Sequence, residues 1–307
     1  MQVNLGMHVH LVVMMSVQNL AEQIGAALGT TLRPDPAARV HGGSINECYR
    51  WESRQGPLFV KVADASQHPM LAAEAAGLEA LRAASAVRVP RVLGCAVSAP
   101  RAWLALEWIE LGSVSAVAEA RLGTLLALQH QHAADAFGWS QDNTIGRTPQ
   151  INTRSQDWLT FWRERRLRYQ LDLAARNGYG GKLTDRGAVL LERLDGFFGS
   201  YRPVASLLHG DLWGGNWGAD GEGEPVIFDP AVYYGDRETD LAMTHLFGGY
   251  GPDFYAAYHA AWPLDAGATV RVRLYNLYHV LNHLNLFGGG YLRQALAMVE
   301  SLQAELT

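Results

Sequence analysis

The sequence predicts an α+β protein with two lobes: a small lobe with a five-stranded antiparallel sheet and one helix, and a larger, mainly helical lobe. Short apolar runs separated by turn residues occupy much of residues 16–110, whereas longer stretches with helical spacing dominate residues 111–307. The chain has 307 residues, 49% of them hydrophobic, and is therefore long enough for two substantial cores. We expect the lobes to meet near residue 110.

The small lobe is expected to begin with a helix over residues 16–29, because Leu20, Ile24 and Leu28 recur at helical spacing. A second helix is predicted for residues 69–83, between the third and fourth strands. The five predicted strands are 38–40, 47–51, 58–62, 89–93 and 103–109.

The larger lobe follows a connector at residues 110–113. Its predicted helices are 116–130, 156–175, 184–199, 238–246, 252–261, 267–286 and 291–304, with short strands at 205–208 and 225–229. Four arginines lie within the second of these helices, and we expect them on a solvated face or in a small anionic pocket. They are Arg163, Arg165, Arg166 and Arg168.

Charge and composition exclude several classes of protein. The net charge of −5 argues against a nucleic-acid partner, since phosphate contacts need a basic face. Cys48 and Cys95 are too few for a disulfide framework, which favours a reducing, cytoplasmic setting. The apolar run 11–15 is too short to span a membrane, so we expect no membrane association. Residues 1–15 are expected to be an N-terminal extension or the product of a misassigned translation start.

The clearest chemical pattern is the segment His209–Asn216. Asp211 and Asn216 have the H-x-D-x-x-x-x-N spacing of a kinase catalytic loop, in which the aspartate is the base and the asparagine holds a metal. Asp229 ends a later apolar run, and a short hairpin would bring it to the same cleft. We expect Asn216 and Asp229 to hold Mg²⁺. Either motif alone fits a plain turn or a helix cap, whereas the two at this spacing favour phosphoryl transfer.

The small lobe has residues suited to binding ATP. Lys61 lies within an apolar strand, where an unpaired ammonium is costly to bury, and Glu74 on the following helix can pair with it. Such a pair orients ATP phosphates, although a lone strand lysine usually reaches solvent instead. A glycine turn precedes the lysine strand and can present backbone N–H groups to phosphate. It comprises Gly42, Gly43, Ser44, Ile45 and Asn46.

The last strand of the small lobe ends in Glu107, Trp108 and Ile109, where a kinase hinge offers backbone groups to adenine. Pure packing of these side chains is an equally good interpretation.

Taken together, these motifs resemble the fructosamine kinase (ketosamine-3-kinase) family, a branch of the aminoglycoside-phosphotransferase and choline-kinase-like group with a protein-kinase-like fold. The similarity runs from about residue 16 to 300. The segments that carry it are 42–46, 59–62, 74–81, 142–146, 209–216, 229–243 and 246–249.

The resemblance implies ATP-dependent phosphorylation of the 3-hydroxyl of ketosamines, the products of amine glycation, followed by loss of the labile phosphate and release of the amine. The substrate would be a small-molecule or protein-bound ketosamine. Asn143, Thr144 and Trp213 are candidates for contact with the sugar, and Asp236 for contact with the substrate ammonium. Asp240 is expected to brace the catalytic loop.

Two alternatives remain open at this point. A related kinase could act on an aminoglycoside or choline-like alcohol, because fold-level similarity does not fix the substrate. A non-catalytic binding module of the same fold would have lost a key residue, yet Lys61, Asp211, Asn216 and Asp229 are all present. The sequence does not define the oligomeric state.

Overall fold

The computed structural model describes residues 17–35, 39–40 and 46–306. The chain divides into two compact units. The first comprises Met1–Glu79 and Pro90–Glu110, and the second comprises Ala80–Val89 and Leu111–Thr307. The expected extension over residues 1–15 lies outside the described residues.

The first unit is built on one antiparallel sheet with the strand order β1-β2-β3-β5-β4. Its elements are helix α1 (17–28), β1 (Leu32–Arg33), β2 (Glu47–Ser53), β3 (Gly56–Asp64), the greater part of helix α2 (His68–Ala84), β4 (Val92–Ser98) and β5 (Arg101–Glu107). The predicted five-stranded sheet with an inserted helix is therefore confirmed.

One strand differs from the prediction. The first strand of the sheet is β1, which pairs with the far end of β2, as Leu32 lies opposite Ser53. Of the predicted strand at residues 38–40, Arg39 makes only an isolated bridge to Tyr49, and residue 38 lies outside the described residues. Leu32 is buried, so the short strand is held by packing that a two-residue pattern cannot reveal.

The alternation of side chains along β3 separates two environments. Val60 and Val62 are buried in a core formed with helix α1, Trp51 and Trp103. Because successive strand residues face opposite sides, Lys61 lies on the other face of the sheet. The sequence pattern thus places a buried lysine on the face opposite the aromatic core.

The second unit combines many helices with small sheets. Its strands are β6 (Leu111–Gly112), β7 (Asn143–Ile145), β8 (Thr148–Gln150), β9 (Ser206–Leu208), β10 (Trp217–Asp220), β11 (Pro225–Ile227) and β12 (Tyr233–Gly235). Its α-helices are α3 (Ala116–His130), α4 (Trp158–Phe161), α5 (Tyr169–Ala174), α6 (Lys182–Glu192), α7 (Glu238–Leu246), α8 (Pro252–Ala261), α9 (Ala268–Phe287) and α10 (Leu292–Ala304).

The predicted long helix 156–175 is helical from Trp158 onward but contains π-helical turns at Trp162–Arg168. The expectation of a solvated arginine run is wrong for Arg166, which is fully buried. Its guanidinium donates to the carbonyl oxygen of Ile151 and lies 4.2 Å from the centre of the Tyr233 ring. Stacking and hydrogen bonds offset the cost of burying this cation.

Among the described residues, no helix combines the length and the hydrophobicity required to cross a bilayer.

Candidate active site

The turn after β9 places Asp211. Strand β9 pairs with β12, and the N–H of Ala231 donates to the carbonyl oxygen of His209 at 2.8 Å. Gly210 has φ +86°, and a Cβ at this position would lie 2.1 Å from the carbonyl oxygen of Ala231. Only glycine fits both the left-handed conformation and the close backbone contact, which explains the glycine between His209 and Asp211.

Asp240 fixes this turn from beneath. Its carboxylate accepts the N–H of His209 at 2.7 Å and the N–H of Gly210 at 2.8 Å. The fully buried His130 lies 3.1 Å from the same carboxylate and 2.8 Å from the hydroxyl of Tyr258. Burial raises the pKa of Asp240, but the hydrogen bond and charge of His130 outweigh this effect and hold it below its ordinary value. The expected bracing role of Asp240 is confirmed.

His209 is anchored rather than available for proton transfer. Its Nε2 lies 2.9 Å from the carbonyl oxygen of Phe228, which can only accept, so Nε2 carries the proton. Nδ1 accepts the N–H of Asp211 at 3.3 Å. Burial lowers the pKa of His209, so the ring is neutral and both nitrogens are occupied.

Asn216 connects Asp211 with Asp229. We call His209–Asn216 the catalytic segment, after the kinase motif that it resembles. The side-chain Nδ2 of Asn216 lies 2.8 Å from the carbonyl oxygen of Asp211, 3.3 Å from the Oδ2 of Asp211, and 3.4 Å from the carbonyl oxygen of Asp229. The amide nitrogen of Asn216 is thus used in hydrogen bonds to this loop. Because the amide oxygen is on the other side of the amide group, it faces away from the loop. Burial and the nearby charge of Asp229 raise the pKa of Asp211 to about 7, partly opposed by the hydrogen bond from Asn216.

A hairpin brings Asp229 to this loop, as the spacing predicts. Strands β10 and β11 pair antiparallel, and the N–H of Phe228 donates to the carbonyl oxygen of Asn216 at 3.0 Å. Asp229 has φ +58°, a left-handed conformation that aspartate tolerates better than most residues. Pro230 follows it, so the backbone here departs from the D-F-G segment of protein kinases.

The first unit contains the predicted lysine–glutamate pair. Lys61 Nζ lies 2.8 Å from Glu74 Oε1, and the two side chains are only 6% and 13% exposed. Strand β3 carries the lysine and helix α2 carries the glutamate. The ammonium is therefore held in place by a partly desolvated carboxylate.

Most of the glycine turn predicted to bind phosphate lies outside the described residues, namely Gly42, Gly43, Ser44 and Ile45. Asn46 immediately precedes β2. Glu107 ends β5, and its N–H donates to the carbonyl oxygen of Arg91 at 2.9 Å. Trp108 packs beside Phe59 and Arg50, and Ile109 follows it beyond the strand.

Asn143 is half-buried, and its side chain is hydrogen-bonded within a network of amides. Its Nδ2 donates to the carbonyl oxygen of Val232 at 2.8 Å, and its Oδ1 accepts from the amides of Gln150 and Asn152, each at 2.9 Å. Gln150 also donates to the carbonyl oxygen of Ala231 at 3.1 Å. The network therefore supports the segment that follows Asp229. Thr144, the next residue, is half-buried.

Trp213 and Asp236 have opposite environments. Trp213 lies in the catalytic segment, packs over Gly215 and is 39% exposed. Asp236 is fully buried, and its oxygens accept from the hydroxyls of Tyr201 and Tyr275 at 2.9 and 2.5 Å. The structure thus leaves Trp213 accessible to a substrate and encloses Asp236 in the core.

A sequence profile of the fructosamine kinase family matches residues 16–305. The chain belongs to the fructosamine kinase family. Among curated relatives, a probable ketoamine kinase of Synechocystis is 46% identical over 284 residues, which cover 92% of this chain and 95% of the relative. A chloroplastic protein-ribulosamine 3-kinase of Arabidopsis thaliana is 41% identical over 265 residues, covering 85% and 80%.

Solved structures agree with this fructosamine kinase assignment. A candidate fructosamine-3-kinase from Thermobifida fusca is 31% identical, has a TM-score of 0.84, and is matched over 94% of this chain and 99% of that one. An ADP-bound aminoglycoside phosphotransferase, 11% identical with a TM-score of 0.62 over 93% and 97% of the two chains, shares the fold. The protein is a kinase, and its fold is protein-kinase-like, as expected.

Proposed function

We propose that this kinase transfers the γ-phosphoryl group of ATP to the 3-hydroxyl of a ketosamine. The observation that carries the proposal is the catalytic segment, in which a partly exposed Asp211 with a raised pKa is held beside Asn216 and Asp229. The substrate class rests on the family and on relatives that are named ketoamine kinase and protein-ribulosamine 3-kinase.

Asp211 is the proposed general base. The 3-hydroxyl oxygen forms a bond to the γ-phosphorus, the bond from that phosphorus to the bridging oxygen breaks, and ADP leaves. The hydroxyl proton passes to the Asp211 carboxylate. Burial of its carboxyl raises the pKa of Asp211, and a carboxylate of raised pKa is a better acceptor for the hydroxyl proton.

Asn216 and Asp229 are the proposed ligands of Mg²⁺. Mg²⁺ prefers oxygen ligands and is usually held by one or two protein groups together with substrate phosphates. The residues fit this pattern, because Asn216 commits its nitrogen to the loop and Asp229 adds a carboxylate. Among the described residues, no cluster of three or more His, Cys, Asp or Glu side chains forms an all-protein metal cage. When bound, the ion would neutralise charge on the phosphates.

Lys61, oriented by Glu74, is proposed to bind the α- and β-phosphates of ATP. The glycine turn formed by Gly42, Gly43, Ser44, Ile45 and Asn46 is proposed to cover the phosphates, and the backbone at Glu107, Trp108 and Ile109 to meet the adenine. The ion pair supports this assignment, since a lysine held by a partly buried carboxylate is fixed in one direction.

Trp213 and Thr144 are the proposed sugar contacts. An exposed indole within the catalytic segment offers a flat apolar surface to the C–H face of a sugar. Asn143 and Asp236 are assigned structural roles instead, because their polar atoms are already used within the second unit. Loss of the 3-phosphate from the product would then release the amine, which makes deglycation the proposed outcome.

The test is ADP release by the purified protein with Mg²⁺ and ATP over a panel of acceptors: a ribulosamine, a fructosamine, an aminoglycoside and choline. We expect turnover with at least one ketosamine, and a phosphorus NMR signal coupled to the proton on carbon 3. Subsequent release of inorganic phosphate and free amine would support deglycation. Activity on the aminoglycoside or choline with none on either ketosamine would refute the proposal.

A further inference from the structure

Exposed aromatic rings are concentrated in one region of the second unit. The described residues include ten exposed large apolar side chains, of which seven are aliphatic and three are aromatic. The aromatic ones are Trp213, Phe247 and Phe287, which are 39%, 44% and 61% exposed. Exposed rings of this size forgo a large burial area, so a group of them indicates a binding surface.

Two of these rings belong to a cluster around His283. The centre of the His283 ring lies 4.8 Å from that of Phe247, 5.4 Å from that of Phe287 and 5.3 Å from that of Tyr291. The rings come from the end of helix α7, from helix α9 and from the turn that follows it. We call Phe247, His283, Phe287 and Tyr291 the aromatic shelf.

The aromatic shelf is joined to the catalytic segment through backbone contact. Phe247 is followed by Gly248 and Gly249, with φ +73° and +95°. A Cβ at Gly214 would lie 2.6 Å from the carbonyl oxygen of Gly248 and 2.9 Å from the Cα of Gly249. The two backbone segments are therefore in direct contact at glycines, which have no side chain to keep them apart. Gly214 follows Trp213 directly. Consecutive Cα atoms are 3.8 Å apart, which places the Cα atoms of Trp213 and Phe247 within roughly 14 Å.

Side-chain hydrogen bonds reinforce this junction. The indole N–H of Trp217 donates to the carbonyl oxygen of Gly249 at 3.3 Å, and the Tyr250 hydroxyl donates to the carbonyl oxygen of Leu212 at 3.3 Å. The rings of Trp217 and Tyr250 are also stacked, 5.5 Å apart. The backbone that follows Phe247 is therefore held against the loop that carries Asp211.

The aromatic shelf is electron-rich and uncharged. The Nδ1 of His283 lies 2.8 Å from the carbonyl oxygen of His279, so Nδ1 carries the proton and Nε2 keeps its lone pair. Burial lowers the pKa of His283, and the ring is neutral near pH 7. Aromatic faces and a nitrogen acceptor suit a cation that also carries apolar groups. The fully buried Asp236, by contrast, has no access to such a cation.

We propose that the aromatic shelf binds the protonated secondary amine of the ketosamine and the adjoining apolar part of its amine component. This rests on the proposed function and assigns to the aromatic shelf the selection of ketosamines over sugars that lack the amine. The amine is attached two carbons from the hydroxyl that is phosphorylated, so its binding surface must adjoin the catalytic segment, as the aromatic shelf does through the contact of Gly248 and Gly249 with Gly214.

The test compares Phe247→Ala and Phe287→Ala with the wild-type protein, using Nα-acetyl-Nε-ribulosyl-lysine as substrate. Cation–π contacts of this kind predict a rise in the KM for the ketosamine of about 3- to 30-fold, with kcat and the KM for ATP unchanged. Phe247→Tyr should restore the wild-type KM. Val189→Ala, which removes another exposed apolar side chain, is the matched control and should leave the KM unchanged.

A second measurement isolates the charge. The same ribulosamine acetylated on its secondary amine lacks the ammonium charge but keeps the apolar chain, so Phe247→Ala should raise its inhibition constant by a smaller factor than it raises the KM for the charged ribulosamine. Alanine variants that retain the wild-type KM, or that weaken binding of the parent and the acetylated compound by the same factor, would overturn the proposal. A wild-type protein with no activity on ketosamines would instead refute the proposed function, so the two failures are distinguishable.

Discussion

Asp211 and Asp236 occupy two regions of the second unit that share an electrostatic property and differ in access. Burial is the largest cause that raises the pKa of each carboxyl to about 7, assisted by a neighbouring carboxylate, Asp229 in one case and Glu238 in the other. Asp211 is partly exposed and lies two residues before Trp213, whereas Asp236 is fully buried. A perturbed pKa alone would nominate both as functional residues.

The surroundings of Asp236 close it off from a substrate. Tyr201, Tyr275 and the backbone N–H of Glu238 all donate to its carboxylate. Glu238 is paired in turn with the buried Arg271 at 2.7 and 2.9 Å. A buried polar network of this kind holds helices α7 and α9 in place. Access, more than electrostatics, separates the carboxylate of the proposed base from the structural one.

The largest effect we predict among the structural polar residues is for Asn143→Ala. This change removes the donor to the carbonyl oxygen of Val232 and one acceptor from each of the Gln150 and Asn152 amides. These amides keep their bonds to the carbonyl oxygens of Ala231 and Gln141, and the change should cost roughly 1–3 kcal/mol of unfolding free energy. Because the network supports the segment after Asp229, kcat should fall together with the melting temperature. Calorimetry and steady-state kinetics on the same preparation measure both.

Thr144→Val is the matched control for Asn143→Ala. If Thr144 contacts the sugar, its variant should raise the KM for the ketosamine and leave the melting temperature unchanged. An Asn143→Ala protein of wild-type stability with a raised KM for the ketosamine would show that Asn143 contacts the substrate, and would contradict its structural role.

A smaller effect concerns pH. The folded protein raises the pKa of Asp236 from about 3.8 to about 7, so between these values the folded state binds a proton that the unfolded state has released. This contribution to stability is present at low pH and is lost as the pH rises through about 7. Asp236→Asn cannot titrate, so the stability advantage of the wild-type protein over this variant should be larger at about pH 5 than at about pH 8. Urea denaturation at both values tests this, and an equal difference at the two would contradict it.

Much of the secondary structure can be predicted from the sequence, because the spacing of apolar residues and the flanking residues are unambiguous for many elements. Helices α3, α7 and α8 begin and end where their apolar spacing and flanking residues predict. Strand β3 and helix α2 were predicted well enough to pair Lys61 with Glu74. Most of the short strands were not predicted, since two to four residues carry little periodicity. They are β1, β6, β7, β8, β10 and β12, whereas β9 and β11 lie in the apolar runs predicted as strands at 205–208 and 225–229.

Part of the geometry of the candidate site also follows from local patterns in the sequence. Spacing alone brings Asp211, Asn216 and Asp229 together, because one hairpin closes the gap. His130 and Gln150 could not be predicted, since each reaches the site through tertiary contacts with distant segments. The expected contact of Asp236 with the substrate ammonium is wrong. Asp236 lies in a motif rich in carboxylates, and the sequence does not show that Tyr201 and Tyr275, from remote segments, enclose it.

The most direct test of the account is a comparison of Asp211→Asn with Asp236→Asn at saturating ATP and ketosamine, at a temperature where circular dichroism shows both variants folded. Loss of a general base predicts a fall in kcat of about 10²- to 10⁴-fold for Asp211→Asn, with the Kd for ATP close to that of the wild-type protein. Asp236→Asn should lower the melting temperature and keep most of its turnover. Near-wild-type turnover by Asp211→Asn, or an equally severe loss in folded Asp236→Asn, would contradict the assignment of Asp211 as the reacting carboxylate.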